Sequence, residues 1–471
     1  MHNDIQARRK IRLIAPRARA VQLVAAAIAI GASTLARAGA STPFAPPPDG
    51  ERVLYRHATL VDVTDASARA DMDVLVAGPR IVSVFPDAAQ LPAIAATARV
   101  VDLHGRYLMP GLVDSHVHLA TPPNRRQAEA ELRRNLYGGV TAVRDMADDL
   151  RPVSDLARAS LVGEIAAPDI FYAALMAGPD FFTDPRTAQT SAGGPPGSMP
   201  WMQAVDDRAD LRLAVARASG TAPTAIKLYA DMTGELAARI TAEAHRQHLR
   251  VWAHATLYPA RPSEVVAAGV DTISHACLLI REALAQVPRV NEPRPATDLG
   301  RFTQGDAPEL ARLFDAMVAR GVILDATIAA YASPPGAAAP PGACDDAVGG
   351  AITRQARRAG VAIAAGTDFV EPASERWPEL FHELHQLVDR AGLSPAEAIR
   401  AATLVGARAT GQERDMGSIE SGKLADMVVL EKDPRASIDH LESLVMTIKR
   451  GHAFPRADFV PLVDADVVDF Q

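Results

Sequence analysis

Between residues 112 and 368 the chain alternates two kinds of segment, and this alternation restricts the fold more than any other feature. Apolar, strand-like runs (LVDSHVH, TAVRDM, DIFYAA, AIKLY, RVWAHA, TISHA, VILDAT and AIAAGTD) are mostly separated by helix-like stretches such as RRQAEAELRRNLYGG, GELAARITAEAHRQH and APELARLFDAMVARG. Strands covered on both faces read as continuous apolar runs, and parallel neighbours need a crossover helix to return the chain. Eight such strands over about 250 residues have the size and rhythm of a (β/α)8 barrel. A doubly wound open sheet would carry a Gly-rich phosphate turn after its first strand, and the sequence has none there.

The flanks differ. RVLYRHATLVDV, MDVLVAGPRIVSVF and ARVVDL before the barrel, and LADMVVLEKD and LVMTIKRGHAF after it, are Val-rich and broken by Gly, Pro and Asp. They predict a small β-sandwich built from both termini, residues 52–110 and 412–471, around a barrel at 111–411. Residues 1–40 have another character: a basic ARRKIRLIAPRARA, the apolar VQLVAAAIAIGAS and the small-residue LARAGA. That is the pattern of a signal peptide ending at Ala38 or Ala40, followed by a Pro-rich linker, residues 41–51. Its apolar run is well short of the roughly 20 residues that a bilayer span needs. Arg8 and Arg9 leave Sec and twin-arginine export both open. The expected location is periplasmic or secreted.

Charge narrows the partners. The full chain carries −7, and residues 1–38 hold seven Lys+Arg and one Asp, so removing that +6 leaves −13. An acidic mature protein is a poor binder of nucleic acid or anionic membrane, and a small-molecule substrate is expected instead. Association into a homo-oligomer is left open. Two cysteines, Cys277 and Cys344, do not make a disulfide framework, and unpaired thiols are the expectation.

On a barrel, the chemistry falls in one place. His116 and His118 are two apart, so on a strand they face the same side. Lys227, His254, His275 and Asp368 end the runs AIKLY, RVWAHA, TISHA and AIAAGTD. All six metal-compatible side chains thus sit at carboxyl ends of strands, where barrel enzymes build their active sites. Singly, a buried histidine is more often a hydrogen-bonded core residue, and a strand-end aspartate a helix cap. The other histidines fall on polar helices (His245, His248, His382, His385) or in the β segments (His57, His104, His440, His452) and read as surface or structural. Lys227 stands out further. The chain has only five lysines, and none other between Ile11 and Gly422, whereas arginine supplies almost every other positive charge. A position needing only a cation would be expected to hold arginine, unless a lysine merely snorkels there.

In order, MPGLVDSHVHLA, GGVTAVRDM, AIKLYA, VWAHAT, DTISHA, AAGTDF and GSIESGKLADMVVL resemble the amidohydrolase superfamily, in particular its imidazolonepropionase-like branch with prolidase-type dipeptidases. The resemblance runs from about Arg52 to Phe454. It implies the barrel with its terminal β-sandwich, and two divalent ions. His116, His118 and Asp368 would bind the first ion and His254 and His275 the second. Lys227, carboxylated by carbon dioxide to a carbamate, would bridge both. An amine can form that group and a guanidinium cannot. Imidazolonepropionases proper keep one metal and lack this lysine, so Lys227 points to the two-metal subtype.

Zinc suits a mixed imidazole and carboxylate site, with manganese, iron or cobalt as alternatives. Asp368 is the expected proton carrier for a metal-activated water, and Tyr229 either binds a substrate oxygen or simply packs. Arg144 and Asp145 are expected to form a buried ion pair beneath the site. The segment after the third strand, LMAGPDFFTDPRTAQTSAGGPPGSMPW, lacks the histidine that relatives commonly carry there. Both it and YASPPGAAAPPGACDDA after the seventh strand are expected to act as lids. These departures put a dipeptide substrate in doubt. The expected activity is hydrolysis of an amide of a small molecule, such as a dipeptide or N-acyl amino acid. The alternatives are an ester, lactone or carbamate, or a metal-binding barrel without turnover.

Overall fold

A computed structural model describes residues 51–86, 96–289, 298–333 and 343–467. The expected signal peptide, the linker up to residue 50 and part of the Pro- and Ala-rich stretch after residue 333 lie outside the described residues. Among the described residues no helix is long and apolar enough to cross a membrane.

Five strands come first: β1 (Arg52–Val61), β2 (Ala68–Ala77), β3 (Arg80–Pro86), β4 (Arg99–Asp102) and β5 (Tyr107–Pro110). The middle of the chain holds β6 (Leu112–Val117), β7 (Val140–Asp145), β8 (Asp169–Ala177), β9 (Ser198–Met199), β10 (Met202–Ala204), β11 (Ala225–Leu228), β12 (Arg250–His254), β13 (Thr272–Ser274), β14 (Ile323–Asp325) and β15 (Ile363–Ala364). The last three are β16 (Met427–Leu430), β17 (Leu444–Lys449) and β18 (His452–Pro455).

The eight strands read from the sequence run parallel in the order β6-β7-β8-β11-β12-β13-β14-β15. The Ser115 amide donates to the Ala365 carbonyl (2.8 Å) and the Asp368 amide to that of His116 (2.9 Å), which brings the last strand against the first. A (β/α)8 barrel results. Its helices follow from local rules: Arg125–Tyr137 starts where the Asn124 side chain accepts from the Gln127 amide, and buries Ala128, Leu132 and Leu136 at four-residue spacing.

Strands from both ends of the chain meet where β16 pairs with β5, Met427 opposite Pro110. Hydrogen bonds join β18-β17-β16-β5-β1-β2-β3, with β4 beside β1, into one mixed sheet. Alternate residues, Val53 and Tyr55, Val74 and Val76, Met427 and Val429, form its apolar core, as the period of a strand requires. At the start of β8, Asp169 is gripped by Lys449 (2.9 Å) and Arg450 (2.7 Å) from the end of β17, tying sheet and barrel together.

The cysteines depart from expectation. Cys277 and Cys344 are disulfide-bonded, with Cα atoms 5.7 Å apart across a sequence separation of 67. The chain turns from β13 into the 3-10 segment Ala276–Ala283, and the helix Asp346–Arg358 packs against that segment. Neighbouring barrel loops thereby bring together two residues whose spacing says nothing of contact.

Candidate active site

All six candidate ligands lie at the carboxyl ends of barrel strands. His116 is on β6 and His118 just past it; Lys227 is on β11, and His254 ends β12. His275 follows β13, and Asp368 lies four residues beyond β15. Asp368 is the common neighbour: its Oδ1 is 3.3 Å from His116 Nε2 and 3.4 Å from His118 Nε2, and its Oδ2 is 3.6 Å from His275 Nδ1. His116, His275 and Asp368 offer ligand atoms within 4.8 Å of one another. The His254 ring centroid lies 4.6 Å from that of His275. His275 (φ 77°) and Asp368 (φ 58°) both adopt left-handed backbone. Such strain costs about 1–3 kcal/mol per residue and persists where surrounding structure enforces it, commonly at functional sites.

A second layer, which sequence reasoning missed, holds the rings. Asp325, at the end of β14, accepts from His116 Nδ1 (2.8 Å), Ser274 Oγ (2.8 Å) and Arg144 Nη2 (3.0 Å). Asp148 holds His118 Nδ1 (2.9 Å), and Thr327 Oγ1 lies 2.9 Å from His275 Nδ1. With Nδ1 engaged, His116 and His118 turn Nε2 toward Asp368. Gly366 leaves room for this, because a Cβ there would stand 2.3 Å from Asp325 Oδ1 and 2.6 Å from His116 Cβ. Asp325 had a signal, an aspartate ending the VILDAT strand on the same face. Asp148 had none beyond the acidic run it belongs to.

Arg144 and Asp145 do not form the expected ion pair. Adjacent residues on a strand point to opposite faces. Arg144 bonds the Ser115 carbonyl (2.6 Å) and Asp325, and lies 4.6 Å over the Trp252 ring. Asp145 instead accepts the amides of Leu119 (3.1 Å) and Ala147 (3.3 Å).

Burial and neighbouring charges set the protonation of each donor at this centre. Burial keeps the imidazoles of His254 and His275 neutral, pushing His275 down to about 3, and lowers His116 as well. Burial opposes ionisation of Asp368, but His116, His118 and His275 hold it well below the usual carboxylate range. Burial also works against a charged His118, yet Asp148 and Asp368 raise it well above normal. Lys227 is 1% exposed, and its Nζ has no hydrogen-bond partner among the described residues. Burial, with the Arg144 guanidinium next, brings it down to about 7.

The centre opens into a cavity of about 290 Å³ lined by His116, His118, Lys227, His254 and Asp368. Tyr229 lines it too, its ring 4.0 Å from that of His254. The segment after β8 forms structured wall, with the 3-10 turn Pro179–Thr183, the helix Pro185–Thr190 and the pair β9-β10. The eight remaining histidines assigned to the helices and β segments stay outside this cluster, His245 pairing with Asp271 and His57 with Asp102.

Solved structures share this architecture. A Xaa-Pro dipeptidase has a TM-score of 0.65 at 21% identity, covering 86% of this chain and 100% of its own. A putative prolidase from Bifidobacterium longum has a TM-score of 0.64 at 26% identity, covering 89% and 98%. Two curated proteins match over short stretches. An adenine deaminase of Rubrobacter xylanophilus is 40% identical over 67 residues, 14% of this chain and 11% of its own. An imidazolonepropionase of Symbiobacterium thermophilum is 41% identical over 63 residues, 13% of this chain and 15% of its own. The model of the amidohydrolase family matches residues 107–454, and with well over half of its length accounted for the chain belongs to that family.

Proposed function

We propose that the protein is an exported two-metal hydrolase cleaving an amide (C–N) bond of a small molecule such as a dipeptide or an N-acyl amino acid. The observation that carries this is Lys227 Nζ, fully buried, without a described partner and lowered to about 7. An unpaired buried ammonium costs several kcal/mol. At that pKa much of the group is free amine near neutral pH, and a free amine adds to carbon dioxide. Its lone pair forms the N–C bond, a C–O π pair moves to oxygen, and a proton leaves to solvent. The product is a carbamate anion, a two-oxygen ligand in place of a stranded cation.

The donors suit two divalent ions. His116, His118 and Asp368 would hold one, His254 and His275 the other, and carboxylated Lys227 both; imidazole and carboxylate donors fit zinc. When bound, the ions would polarise the substrate carbonyl and lower the pKa of a water. Asp368 accepts the proton of the attacking water at a carboxylate oxygen and returns it to the leaving nitrogen, a poor leaving group until protonated. Asp325, Asp148 and Thr327 fix the imidazoles. Tyr229, beside His254, directs its hydroxyl to a substrate oxygen. Export is supported by the basic and apolar leader, and by the Cys277–Cys344 bridge, which suits an oxidising compartment.

Metal-loaded protein screened against dipeptides, N-acyl amino acids, lactones and aryl esters should hydrolyse an amide, with close to two ions per chain by elemental analysis. One ion at full activity would remove the two-metal assignment. Turnover of esters or lactones alone would reassign the bond, and two ions without turnover would leave a metal-binding barrel.

A further inference from the structure

Apart from the candidate ligands, the cavity wall has an apolar part, Met146, Leu175, Phe181 and Met202, and a polar part that includes Thr121, Thr187 and Thr190. Among its described lining residues one charged side chain has no part in the metal cluster: Arg186. It belongs to the helix Pro185–Thr190, whose N-cap Asp184 accepts from the Arg186 amide at 2.9 Å. The same carboxylate grips Arg186 Nε (3.1 Å) and Nη2 (2.6 Å). A guanidinium has five N–H donors, so this clamp fixes its plane and leaves three, two of them on Nη1. The side chain keeps 58% exposure, so it stands where the cavity meets solvent and has not been stripped of water.

Tyr229 lines the same cavity as this guanidinium. Its ring lies 4.6 Å from Phe181 and 4.0 Å from His254. Tyr229 thus packs against the imidazole cluster, and the cavity it lines also takes a cation held in a fixed orientation. A guanidinium is shaped for two-point recognition of a carboxylate, and holding it in advance reduces the entropy lost on binding.

We infer that Arg186, oriented by Asp184 on the wall of the cavity that holds the candidate ligands, binds a free carboxylate on the substrate, so that the site selects small amides with an apolar body and an anionic end. This rests on the amide hydrolysis proposed for the neighbouring centre, but its test does not need turnover. Metal-loaded protein is titrated calorimetrically with 3-phenylpropanoate and with 3-phenylpropan-1-ol, which share an apolar body and lack a scissile amide.

The wild type should prefer the acid by about ten- to hundredfold, the range of a charge-assisted hydrogen bond. R186M should bring the ratio close to one, and D184N and R186K should give intermediate ratios, because the charge remains while the clamp is lost. If R186M loses its metal or its melting transition, D184N and R186K read the same ratio in its place. Equal affinities in the wild type would overturn the inference. So would an acid preference that survives in R186M, or in both D184N and R186K. Should the preference depend on Arg186 while no amide is cleaved, the hydrolytic assignment fails and the carboxylate site stands.

Discussion

Lys227 and Lys449 are both buried in the same molecule, at 1% and 2% exposure, and they live in opposite surroundings. Lys449, at the end of β17, lies 2.9 Å from Asp169 and donates to Ser160 Oγ at 2.7 Å. Lys227, on β11, has nothing to donate to among the described residues. Taking an ammonium out of water is tolerated only where an anion and hydrogen bonds replace the lost solvation. Where the sheet meets the barrel that condition is met, and the charge serves the fold. At the carboxyl ends of the strands no described group meets it, which is what the proposed carbamate would answer.

The strongest way to break this comparison is to exchange the roles. Lys227→Ala should abolish turnover and metal binding while the protein stays folded, and added acetate or propionate should restore part of the activity. Lys227→Arg should stay inactive under the same treatment, since it returns a cation to the site. Normal activity in Lys227→Arg would make this lysine a structural cation like Lys449. Next in size, Asp368→Asn should lower kcat by at least about a hundredfold, the usual loss of a general acid–base, and more for amides than for activated aryl esters. Equal, small losses on both substrates would assign the proton to another group.

Asp325→Asn keeps the shape but removes the charge that holds His116 Nδ1. Metal affinity should drop about 10–100-fold in a competition assay with a chelator, the range for partners of metal-bound histidines. On the structural side, Lys449→Met should lower stability by about 3 kcal/mol in denaturant titration, by weakening the compensation of buried Asp169, with kcat per folded molecule unchanged. A fall in kcat would link the sheet interface to the site.

The smallest effect, taken per pH unit, is a pH dependence. In metal-free protein the Lys227 pKa is about 7 folded, against 10.5 for a free lysine side chain. Between those values the unfolded chain keeps a proton that the folded site has released. Stability should therefore rise with pH across that window, by at most about 1.4 kcal/mol per unit from this group, and Lys227→Met should remove the contribution. A Lys227→Met protein with the same slope would show that the buried amine is not its source.

The sequence by itself determined the parts that depend on local order. Apolar runs alternating with amphipathic stretches specify a barrel, and residues at the ends of those runs must face its carboxyl end. His116, His118, Lys227, His254, His275 and Asp368 were legible for that reason. What tertiary structure alone decided depends on which strands become neighbours and which face each residue takes. Asp325 clamps His116 across 209 residues of sequence, Arg144 turns away from its neighbour Asp145 to meet that carboxylate, and Cys277 finds Cys344. The terminal strands close as one mixed sheet because β16 pairs with β5. Lys227 and Lys449 carry identical side chains, and no local pattern distinguishes them: Asp169 and Ser160 reach one of them only after the chain has folded, and the same folding leaves the other without a partner among the described residues.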